Sequence, residues 1–163
     1  MDELLARIEA LEARQRALED ELEIRDLLAR YGIYADVGDR EGFVGLFTAD
    51  GGMELHGGEH SGTYPPVVEW EGAEALREFI GDPRVHMRIE GRCMHLPTVN
   101  LRTRIDGDRA VAETCSLVIV DEDGRKVLYE AGFTRWRLRR EDGHWKIERR
   151  IRYGIGTPGF TPS

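Results

Sequence analysis

Residues 102–153 read RTRIDGDRAVAETCSLVIVDEDGRKVLYEAGFTRWRLRREDGHWKIERRIRY, and this segment determines the architecture. Short turns rich in Asp and Gly are predicted at residues 106–108, 121–124 and 141–143. Apolar and polar residues alternate between the turns, which is typical of half-buried β-strands. We therefore predict four long strands over residues 93–105, 110–120, 126–140 and 144–153. Turns this short connect neighbouring antiparallel strands, so the strands form an antiparallel meander.

The chain before these strands is predicted to be mainly helical. A helical apolar pattern covers residues 2–35, Asp39 is suited to cap a short second helix, and a third helix fits residues 72–80. A short strand is predicted over 53–56 and a Gly-rich loop over 57–66. Helices followed by strands indicate an α+β fold, a curved antiparallel sheet with the N-terminal helices on its concave face.

The first helix changes its pattern near residue 23. Before that point the apolar residues recur with alternating spacings of four and three, at Leu4, Ile8, Leu11, Leu18 and Leu22, with Gln15 completing the pattern. After it, a broader apolar face suits packing on a domain. We predict a helical extension over 1–22, one domain over 23–155 and an irregular tail over 156–163. The extension is interpreted as a self-association arm, or alternatively as a helix packed on its own domain.

Composition excludes several classes of function. The chain has 163 residues and a net charge of −8, which disfavours a general binder of nucleic acid. No apolar run is long enough for a membrane helix, and the first residues carry no secretory signal pattern. Two cysteines, Cys93 and Cys115, are interpreted as small buried residues rather than as a disulfide or metal ligands. The expected location is a reducing cytoplasm.

The candidate site residues are a histidine, an aspartate and a tyrosine. His95 lies in the first predicted strand, on the face of its apolar residues, and Asp36 ends the first helix. A carboxylate bonded to one ring nitrogen of a histidine fixes the tautomer and strengthens the other nitrogen as a base. Tyr31, one turn before Ala35, could donate a hydrogen bond to a substrate oxygen.

The remaining polar residues give weaker indications. The arginines of the last two strands, including Arg149, Arg150 and Arg152, are predicted to be mostly solvated, although one near a pocket could bind an anionic group. His56 and His60 are separated by two glycines and are a poor metal pair, so no metal site is predicted. His86 and His144 are predicted to lie on the surface.

Four groups of residues together resemble the SnoaL-like branch of the nuclear-transport-factor-2-like superfamily. They are YGIYADVGDREGFVGLFTAD at 31–50, WEG at 70–72, HLPTV at 95–99, and the pair GDRA at 107–110 and DGHWKI at 142–147. The resemblance implies a cone-like α+β barrel. Among the members of this superfamily, the chain is similar to scytalone dehydratase, bile acid 7α-dehydratase and hexachlorocyclohexane dehydrochlorinase. On that resemblance Asp36 and His95 match the catalytic dyad, and Tyr31 matches the helix tyrosine of the bile acid enzyme.

The resemblance implies a cofactor-independent lyase. His95, oriented by Asp36, would remove a carbon-bound proton from a small hydrophobic cyclic substrate, with Tyr31 as the hydrogen-bond donor. Further substrate contacts are expected from Tyr34, His56, Tyr129 and Arg152. A polyketide cyclase or ketosteroid-type isomerase using the same pocket is one alternative, and a non-catalytic binding or assembly subunit is another. The protein is expected to form a dimer or trimer and to bind neither nucleic acid nor membranes.

Overall fold

The computed structural model describes residues 2–57 and 67–162. Three helices come mostly before the long strands: α1 Asp2–Val37, α2 Arg40–Gly45 and α3 Gly72–Gly81. Seven strands follow or intervene: β1 Phe47–His56, β2 Val67–Glu71, β3 Cys93–Leu96, β4 Arg102–Asp106, β5 Arg109–Glu122, β6 Arg125–Glu141 and β7 His144–Gly154. The predicted loop over 57–66 and His60 lie almost wholly outside the described residues.

The strands form one curved, unclosed sheet with the order β2-β1-β7-β6-β5-β3, and β4 also pairs with β5. The predicted meander is confirmed for β4 to β7, since each of these strands pairs antiparallel with the next. The α+β class is therefore confirmed. One pairing differs from the antiparallel expectation, because β1 runs parallel to β7. This is possible because β1 precedes β7 by a long stretch of chain rather than by a tight turn.

The predicted first strand is in fact two strands, β3 and β4, separated by the turn at residues 97–100. Pro97 has no backbone N–H to donate to a sheet. Beyond it, the side-chain oxygen of Asn100 accepts a hydrogen bond of 2.5 Å from the backbone N–H of Cys115, so a side chain replaces one ladder acceptor. The expectation of one regular strand face running from His95 to Ile105 is therefore wrong.

β1 is longer than predicted, and β2 was not predicted at all. Residues 50–52 were expected to end the second helix, but they lie inside β1, where the register against β7 shifts between Phe47 and Gly52. Such bulges accommodate an irregular strand. The helix α2 begins as predicted, because the Asp39 side chain accepts a hydrogen bond of 2.9 Å from the backbone N–H of Gly42.

The main core lies between the helices and the sheet. From the sheet, Trp136, Leu138, Trp145 and Ile147 are almost fully buried. The face of α1 that follows the change of pattern packs against them, through Ile24, Leu27, Leu28, Tyr31 and Ala35. This core fixes the last turns of α1 close to β3, which sets the position of the candidate site. None of the helices in the described ranges is both long and apolar enough to cross a membrane.

Candidate functional site

Asp36 and His95 are brought together as predicted. The imidazole Nδ1 of His95 lies 2.6 Å from Oδ1 of Asp36, and the backbone N–H of His95 also donates to the carboxylate at 3.0 Å. Both side chains are mostly buried, with 13% and 19% of their areas exposed. The Asp36 carboxylate thus fixes the orientation of the His95 ring and the position of β3, which carries it. Within the described ranges no hydrogen bond is made by Nε2 of His95, so this nitrogen is available as a base.

A glycine on α1 allows this approach. A Cβ atom added at Gly32 would lie 3.0 Å from the carbonyl oxygen of His95 and 3.1 Å from Cδ of Pro97. Both contacts are tighter than ordinary van der Waals contact, and one of them is with backbone. Helix and strand therefore pack as closely as a side-chain hydrogen bond between Asp36 and His95 requires.

Cys93 is a third member of this cluster, which the sequence reasoning missed. Its Sγ lies 3.3 Å from Oδ1 of Asp36 and 3.9 Å from Nδ1 of His95. Burial and the neighbouring Asp36 carboxylate raise the pKa of Cys93 to about 12, so the group is a thiol at neutral pH. Its position two residues before His95, on the same side of a strand, is the signal that could have identified it.

His86 also belongs to the site, and its predicted surface position is wrong. The residue is only 5% exposed, and its ring stacks on that of His95 with 5.2 Å between centroids. Neither ring nitrogen has a hydrogen-bond partner within the part of the chain that the structure describes. Burial, aided by nearby His95, lowers the pKa of His86 to about 4, so the ring is neutral at physiological pH. His144 is exposed, as predicted.

These side chains include one potential metal cluster. Donor atoms of His86, Cys93 and His95 lie within 4.8 Å of one another. The metal ligand form of cysteine is the thiolate, which the raised pKa of Cys93 disfavours. A metal ion bound at this cluster would therefore have to displace the thiol proton of Cys93.

A cleft opens directly beside the dyad. Its open space, part of which is continuous with solvent, is about 790 Å³, and His86 and His95 lie in its wall. Much of the lining is apolar, from Leu55, Phe79, Val85, Ile89, Pro97 and Val118. An apolar cleft with a few polar groups is typical of a site for a small organic ligand.

Tyr31 lies in this wall as well, with only 3% of its area exposed. Burial raises the pKa of Tyr31 above its usual value, so the phenol stays protonated. Its hydroxyl contacts Sδ of Met53 at 3.6 Å, and a thioether is a weak acceptor. The hydroxyl is therefore a donor that a stronger acceptor in the cleft can attract.

Arg150 and Arg152 reach the cleft because β7 contains a bulge. The ladder between β6 and β7 shifts register just after Ile147, so that Glu148 is an extra residue. Before the bulge, the β7 side chains that face the helices belong to odd-numbered residues such as Ile147. After the bulge, even-numbered residues such as Arg150 and Arg152 occupy that face of the sheet. Regular alternation from Ile147 would have placed both arginines on the other face of the sheet.

The two arginines differ in their partners. Arg152, which was predicted to contact substrate, lies in the lining and pairs with Glu130 at 3.2 Å, and burial lowers its pKa. Arg150 lies over the rings of Tyr31 and Trp136, at 5.2 and 5.6 Å from their centroids. Its Nε is buried without a hydrogen-bond partner in residues 2–57 and 67–162. Of these two arginines, Arg150 is therefore the one better suited to meet an anionic group.

The other three predicted substrate contacts are divided. Tyr129 lies in the cleft wall at a second bulge, where β5 pairs with residues 128 and 130, and its hydroxyl accepts from Arg88. Tyr34 packs against the core and is absent from the described lining. His56 is also absent from the described lining. Its Nε2 lies 3.1 Å from Oε2 of Glu54, and its ring stacks on that of Tyr153.

Similar structures have the same fold. A nuclear-transport-factor-2-like protein with a cystatin-like fold from Novosphingobium aromaticivorans is 30% identical, with a TM-score of 0.77 over 90% of this chain and 88% of that one. A variant of Rv3472, a protein of unknown function from Mycobacterium tuberculosis, is also 30% identical, with a TM-score of 0.72 over 87% and 75%. LinA is 19% identical, with a TM-score of 0.69 over 90% and 97%.

The family assignment follows from the sequence as well. No curated protein matches the chain. The model of the SnoaL-like domain matches residues 16–151, which include both members of the dyad and all seven strands except the end of β7. The chain therefore belongs to the SnoaL-like domain family, which confirms the resemblance in its sequence.

Proposed function

We propose that the protein is a cofactor-independent lyase that eliminates water, or a comparable leaving group, from a small hydrophobic cyclic substrate. The observation that carries this proposal is the 2.6 Å contact between His95 and Asp36 at the wall of an apolar cleft. A structural neighbour, LinA, is a hexachlorocyclohexane dehydrochlorinase and thus eliminates a leaving group from a cyclic substrate.

In the proposed reaction, Nε2 of His95 removes a proton from the carbon next to a substrate carbonyl. The carbon–hydrogen electron pair forms an enolate, which then expels the β-hydroxyl group as the carbon–carbon double bond forms. The leaving hydroxyl takes the proton from Nε2 of the His95 imidazolium and departs as water, which returns His95 to its neutral form. Asp36 stabilises the imidazolium that His95 becomes and keeps Nδ1 protonated beforehand. All proton transfers use side chains of this chain and need no metal.

Two neutral groups are suited to assist the leaving oxygen. Tyr31 is a buried, protonated phenol in the cleft wall, and His86 is a buried, neutral imidazole with both nitrogens unpartnered in the described structure. Each can donate a hydrogen bond to an oxygen that becomes more negative. A positioned donor or base contributes on the order of 10²–10⁴-fold to a rate.

Arg150 is suited to the negative charge of the enolate. Its guanidinium lies against two aromatic faces and has a buried Nε without a partner among the described residues. Arg152 is less suited because Glu130 already neutralises it. We therefore assign the substrate carbonyl to the part of the cleft near Arg150, and the ring to its apolar lining, which includes Phe79 and Ile89.

The cleft also bears on the alternatives. An open cavity beside an intact dyad favours an enzyme over a non-catalytic assembly subunit, whose core would be filled at this point. An isomerase or cyclase would use the same base, and its product differs: a shifted double bond or a new ring, with no loss of water. Mass spectrometry of the product therefore distinguishes elimination, which lowers the mass by that of water, from isomerisation and cyclisation, which leave it unchanged.

The test uses a panel of cyclic β-hydroxy ketones, whose dehydration gives conjugated enones that absorb in the ultraviolet. Asp36→Asn removes the negative charge but keeps an oxygen that can accept from the backbone N–H of His95. We expect turnover to fall by about 10²–10⁴-fold while substrate still binds. Binding is measured separately, by quenching of tryptophan fluorescence.

The matched control is Asp39→Asn, the same chemical change three residues along the chain. Asparagine also caps helices well, so this variant should keep the stability and the turnover of the wild type. Full activity of Asp36→Asn would contradict the role of the dyad. Panel members that bind in the cleft without losing water in the wild type would contradict elimination.

A further inference from the structure

The apolar side chains in the first half of α1 are exposed to solvent in the single chain. Every residue from Asp2 to Glu19 is exposed, and the contacts of the helix with the domain begin at Asp20, which bonds to Arg140 and Trp145. The exposed side chains nevertheless include large apolar groups, with the exposed fraction given in parentheses: Leu4 (63%), Ile8 (43%), Leu11 (59%), Leu18 (54%) and Leu22 (65%).

These residues occupy the contact positions of a coiled coil. With Leu4, Leu11 and Leu18 at position d, position a is filled by Ile8, Gln15 and Leu22. We call these six residues the seam. The helix that carries the seam is already formed, because packing of residues 24–35 on the domain supplies the nucleus that a short isolated helix lacks.

The seam points away from the protein's own domain. Each residue advances about 100° around an α-helix, so the seam and the buried face of residues 24–35 have mean directions that differ by roughly 160°. A partner helix can therefore lie along the seam without meeting the domain. This geometry also explains why the apolar pattern changes phase at residue 23: the two faces serve different partners.

We propose that the seam binds the seam of a second copy of this chain, in a parallel, in-register, two-stranded coiled coil. The charges beside the seam determine the orientation. Arg7 and Arg14 occupy position g, and Glu12 and Glu19 occupy position e. In a parallel pair, position g meets position e of the next heptad on the partner, so Arg7 faces Glu12 and Arg14 faces Glu19. An antiparallel pair would place like charges together.

The seam residues also favour two strands. Ile8 is β-branched at position a, and all three d positions are leucine, the combination that favours dimers. Gln15 is the single polar residue at an a position, and it meets its own copy only when the helices are in register. A polar residue there selects register and orientation at some cost in stability.

The first test measures the mass of the full chain in solution by analytical ultracentrifugation over a wide range of concentrations. We expect twice the 18.6 kDa of one chain for the wild type. The double variant Leu11→Glu, Leu18→Glu should halve that mass, because it buries charges in the seam. The matched control, Ala10→Glu with Ala13→Glu, adds the same charges on the opposite side of the helix and should keep the dimer.

A wild type that is monomeric or trimeric, or a seam variant whose mass equals that of the control, would overturn the proposal. Circular dichroism confirms that each variant remains folded. Because residues 2–19 are all exposed, elimination by the monomeric variant should match the wild type, so this test succeeds or fails independently of the proposed lyase activity.

The second test determines orientation. Leu4→Cys places a thiol at one end of the seam, where it meets its copy only in a parallel pair. Mild oxidation should therefore crosslink most of this variant, whereas Ala10→Cys, which faces away, and the wild type, with its native Cys93 and Cys115, should stay mainly uncrosslinked. A dimer of Leu4→Cys that crosslinks no more than Ala10→Cys would overturn the parallel arrangement.

Discussion

His86 is the residue whose chemistry depends most on the fold. In water its imidazole would titrate near 6.5, but burial and the adjacent His95 lower its pKa to about 4. The charge of Asp36 raises the pKa of His86 and that of Arg150 lowers it, but the effect of Asp36 is smaller than that of burial. The ring therefore stays neutral and keeps one N–H for donation at physiological pH.

This lowered pKa predicts a pH-dependent stability. Between about pH 6.5 and 4 the unfolded chain binds a proton at His86 that the folded chain does not, so the free energy of unfolding falls as the pH falls through this window. The full difference is on the order of 3 kcal/mol. In urea unfolding at a series of pH values, His86→Phe should lose this part of the pH dependence.

The control for this measurement is His144→Phe, which removes an exposed histidine and should keep the pH dependence of the wild type. The comparison between variants is needed because carboxylates titrate in the same pH range. Equal slopes of unfolding free energy against pH for the wild type and His86→Phe would contradict the assignment of a neutral, buried ring.

Single residues differed in how far the sequence could predict them. The pair Asp36 and His95 was predicted because it lies on elements of known direction and matches a family motif. His86 lies in the irregular segment between α3 and β3, where no periodicity indicates which side chains are buried. Arg150 was predicted to be solvated, whereas the bulge in β7 places it in the cleft wall, and no residue type signals that bulge.

At the scale of elements, the close contact of α1 with β3 is the critical one. The contact requires a residue without a side chain at Gly32, because a Cβ atom there would press on the carbonyl oxygen of His95. Gly32→Ala should therefore push the helix from the strand. We expect a loss of about 1–3 kcal/mol in the free energy of unfolding, together with reduced turnover, because Asp36 moves relative to His95.

The control is Gly45→Ala, at the end of α2, where an added Cβ meets no atom within 4 Å. Alanine is the better helix former, so this variant should be as stable as the wild type or more stable by up to about 1 kcal/mol. Unfolding in urea and the elimination assay are measured on both variants. Equal stability and activity of Gly32→Ala and Gly45→Ala would contradict the requirement for close packing.

Elements were predicted best where local chemistry determines them. The Asp/Gly turns fix the ends of β5, β6 and β7, and Asp39 fixes the start of α2, so these boundaries were predicted to within a few residues. β2 and the parallel pairing of β1 with β7 depend on contacts far apart in the sequence. Such contacts leave no local pattern, and they were not predicted.

At the scale of the whole molecule, α1 joins two regions with different purposes. Its first half carries most of the seam. Its second half contributes buried side chains to the core and the Asp36 carboxylate that contacts His95. We propose that the extension, predicted over 1–22, and the domain, predicted over 23–155, meet at Asp20. From that residue onward the helix makes polar contacts with β6 and β7.

Truncation at two points tests this division. Residues 2–19 are all exposed, so a chain that begins at residue 20 should change its free energy of unfolding, measured at low concentration, by less than about 0.5 kcal/mol. A chain that begins at residue 24 also loses Asp20 and Glu23. The indole N–H of Trp145 then loses a 3.2 Å hydrogen bond, and its backbone N–H loses one of 2.9 Å. Because Trp145 is buried, we expect the shorter chain to be less stable by about 1–3 kcal/mol.

The double variant Asp20→Ala, Glu23→Ala in the otherwise complete chain separates lost contacts from lost length. If the contacts determine stability, this variant should unfold at the urea concentration of the chain that begins at residue 24. If it unfolds with the wild type, or if both truncations cost the same, the domain does not begin at Asp20. The chain that begins at residue 20 loses five of the six seam residues, and the chain that begins at residue 24 loses all six. Both should therefore be monomers, and only the stability of the domain should distinguish them.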